Sequence, residues 1–156
     1  MQIYNRADKV NFMNTGTSSS PVYTRMQGFT SAGKSLNSST YDRRYVDEKT
    51  ERSTVTGFSP EIEYNFDRIV GNAIHDKIAE VHDDELVGET VDIVTVDMIT
   101  HEARLRTYSV IPDADGDSTD AYTYSGTFHA YGEITKGTAT VSADGMTATF
   151  TPSSSV

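Results

Sequence analysis

Ile62, Tyr64 and Phe66 stand two apart, with Glu61, Glu63 and Asn65 between them. Only an extended backbone, whose side chains point alternately to opposite faces, turns that spacing into one buried and one wet face. The aliphatic composition carries the same bias along the whole chain: 13 Val and 9 Ile against 3 Leu, with 21 Thr. β-Branched side chains lose rotamer freedom in a helix and pack well on a pleated surface. A mainly β fold follows, and 156 residues suffice for one domain, residues 1–156, with its own core.

Strand character recurs over 10–13, 22–29, 32–38, 54–66, 89–99, 104–111 and 121–134, with a short turn near Thr30 and Ser31. Pro60 interrupts the fourth of these and implies an edge or a bulge there. The 14–21 stretch, NTGTSSSP, reads as a flexible loop. Near the end, 138–142 and 146–151 flank Ala143-Asp144-Gly145, a strong hairpin signal, and 152–156 reads as a frayed tail.

One helix interrupts this pattern, over 72–83. Ile74, Ile78 and Val81 recur at spacings of four and three, Asn72 is placed to cap, and Gly88 follows the end. His75 and His82 lie seven apart on it, about 10 Å along the axis, too far for one metal ion, and read as solvent-facing. His101 and His129 have no ligand-spaced partner.

Charge is distributed unevenly. Up to Ser53 there are eight Lys/Arg against five Asp/Glu; beyond it, five against eighteen, for a total of −10. Such a balance repels a phosphate backbone and argues against nucleic-acid binding as the main activity. Within the basic part, 41–52 (YDRRYVDEKTER) carries Arg43, Arg44, Lys49 and Arg52 beside Asp42, Asp47, Glu48 and Glu51. Burying so many charges is costly, which leaves an exposed loop or an arm that docks on a neighbour.

Catalytic and metal signatures are missing. There is no cysteine, no nucleophile elbow, no phosphate-cradling glycine loop and no dinucleotide fingerprint. Asp113, Asp115, Asp117 and Asp120 resemble the start of a calcium loop, but Ser118 stands where that loop needs glycine and Tyr124 where it needs glutamate. No enzyme activity, catalytic residue, metal or cofactor is expected. No apolar stretch has membrane-spanning length and 1–10 lacks a signal-peptide core, so a soluble protein without a cleaved export signal is expected.

Four blocks in this order resemble the tail tube proteins (major tail proteins) of long-tailed bacteriophages: KVNFMN (9–14), YTRMQGFTS (23–31), YDRRYVDEKTERSTVTGFSPEIEYNFD (41–67) and GTATVSADGMTATFT (137–151). The resemblance implies a β-sandwich or partly closed β-barrel with one flanking helix and a long extended loop. It also implies six copies in a ring, and rings stacked into the tail tube that conducts the genome. Tyr41, Arg43, Arg44, Tyr45, Asp47, Glu48, Lys49 and Arg52 would then make the contact between subunits. The implied partners are further copies of the chain, the tape measure protein, the tail terminator and the distal tail protein, with DNA only in passage and no membrane. The implied location is the virion tail, assembled in the bacterial host cytoplasm. A carbohydrate- or receptor-binding β-sandwich, a hydrolase with a scattered triad, and the tube protein of a secretion or contractile injection system are the competing readings.

Overall fold

The computed structural model describes residues 1–116 and 118–153. Eleven strands follow in chain order: β1 Lys9–Asn14, β2 Tyr23–Arg25, β3 Phe29–Ser35, β4 Ser39–Arg43, β5 Arg52–Gly57, β6 Glu61–Asp67, β7 Thr90–Asp97, β8 Glu102–Asp115, β9 Thr123–Ala130, β10 Thr135–Val141 and β11 Thr147–Pro152. One helix, α1 Ala73–Asp83, lies between β6 and β7.

Nine strands form an antiparallel sheet in the order β10-β11-β2-β1-β7-β8-β9-β6-β3, and β10 also pairs with β8. This second pairing closes β8, β10, β11, β2, β1 and β7 into a ring of six strands. It is possible because β8 is long: its first residues, Glu102 to Leu105, pair with β10, and its later ones, from Tyr108, pair with β9. The rest of the sheet, β9, β6 and β3, runs off the barrel as an open wing. The expected partly closed β-barrel with one flanking helix is what forms.

Two cores follow from this closure. Phe12, Val94, Val96, Ala103 and Ala139 fill the barrel. Met13, Ile93, Tyr108 and the Ile62-Tyr64-Phe66 row face outward from it, against Ile74, Ile78 and Val81 of α1. Strands β1 and β7 therefore bury both faces, which is why VNFM and VDIVTV read as almost continuous apolar runs.

Asn72 caps α1 as expected, accepting from the Ile74 and His75 N–H groups at 3.0 and 3.2 Å. The terminal hairpin forms too; Gly145 takes φ +73° in its turn, where a side chain would be strained.

Several expectations need correction. The turn between the second and third strands lies at 26–28, with Gly28 at φ +77°, because β3 runs through Thr30 and Ser31 with only a register shift. The 54–66 stretch is two strands in two sheets: among the described residues β5 pairs with β4 alone, while β6 joins the wing, and buried Pro60 makes the break. Strand β8 continues through Asp113 and Asp115, the start of the calcium-loop-like stretch, because β9 supplies backbone partners there. The 14–21 loop is closed on itself by the Asn14 side chain, whose Oδ1 accepts from the Gly16 and Val22 N–H groups. Of the 152–156 tail, Pro152 ends β11, and residues 154–156 are outside the described part.

The histidine reading is overturned. His75 is fully buried and His82 half-buried. The apolar stripe of α1 is wider than its aliphatic residues suggest: His75, Ile78 and His82 are spaced three and four apart and share the covered face.

Candidate functional site

Strands β4 and β5 form a separate two-stranded hairpin that leaves the wing after Ser35 and returns before Glu61. It contains the whole charged segment, so an exposed hairpin arm replaces the expected loop. Tyr41 and Arg43 lie on β4; Arg44, Tyr45, Asp47, Glu48 and Lys49 form the connection; Arg52 opens β5. All are exposed except half-buried Glu48. Arg52 pairs with Glu48 and lies 5.8 Å above the Tyr45 ring. Arg43 sits opposite Arg52 in the ladder, a like-charge pair that disfavours the isolated arm. Tyr41, Tyr45, Val46 and Val55 add exposed apolar surface. At the wing's margin, β3 pairs only with β6, leaving one side of its backbone without a strand partner among the described residues.

A second surface was missed in the sequence. Helix α1 covers only part of the wing's inner face. Beside it, between β3 and β6 of the wing and the outer side of β1, β7 and β8, is a groove of ≈ 870 Å³ with Ile62 and Tyr108 in its floor and Lys9, Lys34, Arg104 and Arg106 around it. Its one carboxylate, Asp97, is committed locally, accepting from the Ile99 and Thr100 N–H groups at 2.9 and 3.2 Å and from the Tyr4 hydroxyl at 3.3 Å. Nε and Nη1 of Arg106 are buried without a hydrogen-bond partner among the described residues. Partial burial, and then the Arg106, Arg104 and Lys9 charges, push the Lys34 ammonium below the usual lysine range. Strand alternation could have shown this: Lys34, Ile62 and Arg106 occupy the positions that continue the buried rows.

The two helix histidines, His75 buried and His82 half-buried, hold α1 in place. His75 Nδ1 accepts from the Ile69 N–H at 3.0 Å, which leaves the proton on Nε2, donated to the Gln27 carbonyl at 2.7 Å. Its ring stacks on Phe66 at 4.3 Å. His82 Nε2 is 2.7 Å from the Tyr64 hydroxyl, whose pKa burial raises, so Tyr64 stays protonated and can donate. Burial lowers the pKa of both histidines. Each binds protons less readily folded than unfolded, so their contribution is complete above the ordinary histidine pKa of about 6.5 and is lost as pH falls below it. The thermal midpoint is expected to drop between pH 7.5 and 5, and by less in His75→Gln, which lacks one of these groups. An equal drop in that variant would remove His75 from the account.

No site for chemistry emerges among the described residues. Ser59 Oγ lies 3.0 Å from His129 Nε2, a pair that sequence reasoning did not single out, but His129 Nδ1 faces the Ala130 carbonyl at 3.3 Å instead of a carboxylate. No group of three His, Asp or Glu could hold a metal among the described residues. Asp113 and Asp115 lie on β8, and Asp117 is outside the described residues. No helix is long and apolar enough to cross a membrane among those residues.

The sequence matches no protein-family model and no curated protein. Its fold matches solved structures. One is a chain in the tail of an empty gene transfer agent particle, solved with helical refinement under C6 symmetry. The likeness has a TM-score of 0.64 at 12% identity and covers 85% of this chain and 97% of that one. Another is a chain in the virion of a native gene transfer agent particle, with a TM-score of 0.61 at 12% identity, covering 86% and 98%. The chain therefore shares the fold of these two particle chains over nearly their whole length.

Proposed function

We propose that this chain is a structural subunit that assembles with its own copies into a phage-type tail tube, six to a ring and ring upon ring. The observation that carries the reading is the combination of that fold with two surfaces that a lone monomer leaves unused. Strand β3 offers an unpaired edge, and a symmetric ring hides such edges by pairing them between subunits. The β4–β5 arm offers charged and apolar side chains in a segment that contributes nothing to either core. Genome passage, contacts with tape measure, terminator and distal tail proteins, and location in the virion tail belong to the same proposal.

Electron microscopy of the purified chain tests it directly. Rings or hollow tubes are the expected result, and a strictly monomeric species at high concentration and varied salt would overturn the reading. Within the arm, Arg43 and Arg44 have no ion-pair partner among the described residues, whereas Arg52 already has Glu48. Arg43→Glu with Arg44→Glu is expected to weaken assembly about tenfold or more at moderate salt. Unchanged tubes in that variant would exclude these two residues from the contact.

A further inference from the structure

Two surfaces of opposite charge lie near β7. Strand β7 runs from Thr90 to Asp97, roughly 25 Å, and the basic groove runs beside it, from Thr95 and Asp97 past Arg106, opposite Ile93, to Tyr108, opposite Val91. The turn that leads out of α1 lies at its near end and spans 84–89. It presents Asp84, Glu85 and Glu89 with no cation among them, together with exposed Leu86 and Val87, the latter 94% exposed. The turn is anchored at both ends: the Leu86 N–H donates to the Val81 carbonyl at 3.1 Å, and the Val110 N–H to the Glu89 carbonyl at 3.0 Å. None of its three carboxylates makes an ion pair among the described residues.

Knob and groove are complementary in two respects. The knob is acidic with apolar side chains at its tip. The groove has basic walls, an apolar floor at Ile62 and Tyr108, and buried guanidinium nitrogens of Arg106 without a partner among the described residues. An unpartnered buried donor is costly, and a carboxylate delivered into the groove would remove that cost. Within one molecule no residue of the 84–89 turn lines the groove. Between molecules they meet head to tail, and a head-to-tail contact propagates instead of closing on a pair. The arm also leaves the wing at the groove end, after Ser35 and before Glu61, where it would flank the same neighbour.

We propose that the groove between β3 and β8 receives the 84–89 turn of a second copy, making the head-to-tail contact along the stack. The inference rests on the self-assembly reading and assigns that reading a contact.

Charge reversal and charge swapping test it on the full chain, with association followed by analytical ultracentrifugation and electron microscopy. Lys34→Glu with Arg104→Glu changes two exposed side chains. It is expected to raise the concentration needed for association at least tenfold, with the thermal midpoint of the monomer unchanged. Asp84→Lys with Glu85→Lys on the knob is expected to do the same. The protein carrying all four changes is expected to recover most of the loss, which simple surface damage would not allow.

If the groove variant associates like the parent, the groove is not an interface and the proposal is overturned, while the assembly reading stands. If the groove variant fails and the knob variant does not, a different segment fills the groove and the assignment of the turn is overturned. If the parent chain does not associate at all, the assembly reading itself falls.

Discussion

Phe66→Ala is expected to lower the unfolding free energy by about 3–5 kcal/mol. Phe66 has no exposed surface. Its ring is 5.0 Å from Phe29 on β3, 5.4 Å from Tyr124 on β9 and 4.3 Å from His75 on α1. Three other elements thus meet on one side chain, and none can move in without releasing another contact, so the vacated space stays open. The loss also reaches the stacking that helps orient His75, whose ring nitrogens secure Ile69 and Gln27. Chemical denaturation measures it, with Phe58→Ala, at a side chain 58% exposed, as the control expected within about 0.5 kcal/mol. A loss below about 1 kcal/mol at Phe66 would mean that this layer collapses more freely than its packing implies.

The second large effect is expected from adding a single carbon. Gly126 lies between Tyr64 of β6 and Pro112 of β8. A Cβ there would sit 2.5 Å from the Ile111 carbonyl oxygen, 2.6 Å from the Tyr64 hydroxyl oxygen and 2.8 Å from the Tyr64 Cζ. The hydroxyl can yield only by leaving His82, and the carbonyl belongs to backbone on the neighbouring strand. Gly126→Ala is therefore expected to cost about 1–3 kcal/mol, read by the same denaturation. Combining it with Tyr64→Phe removes the hydroxyl contact but leaves the ring Cζ at 2.8 Å, so it should relieve only a small part of the cost. The control is Gly33→Ala, where nothing lies within 4 Å of the added carbon; there the change should be neutral or slightly favourable. Equal effects at the two glycines would refute the steric account.

Much of the fold was legible because it is written in local periodicity. The two-residue spacing at Ile62, Tyr64 and Phe66 gave β6, and the three-four spacing at Ile74, Ile78 and Val81 gave α1. The Asp144-Gly145 pair gave the terminal hairpin. Where the reading failed, a distant partner had decided the local outcome. Thr30 and Ser31 look like a turn, but β6 lies alongside and keeps them in a strand. His75 looks like a surface residue, but the Ile69 N–H and the Gln27 carbonyl satisfy both of its nitrogens inside the core. The arm was found from its charge density, since charges without partners cannot be buried; its hairpin form was not, because the strands pair only with each other across the charged connection.

Sequence by itself determined a mainly β chain with one helix, a terminal hairpin and an exposed charged segment, because backbone preference and burial of neighbouring side chains act within a few residues. Tertiary structure alone decided that β8 pairs with both β9 and β10, closing the barrel. It alone gathered Lys9, Lys34, Arg104 and Arg106, from three strands, around one groove. Both outcomes depend on register between strands remote in the chain, and register is set by how whole faces pack, which no single stretch of sequence contains.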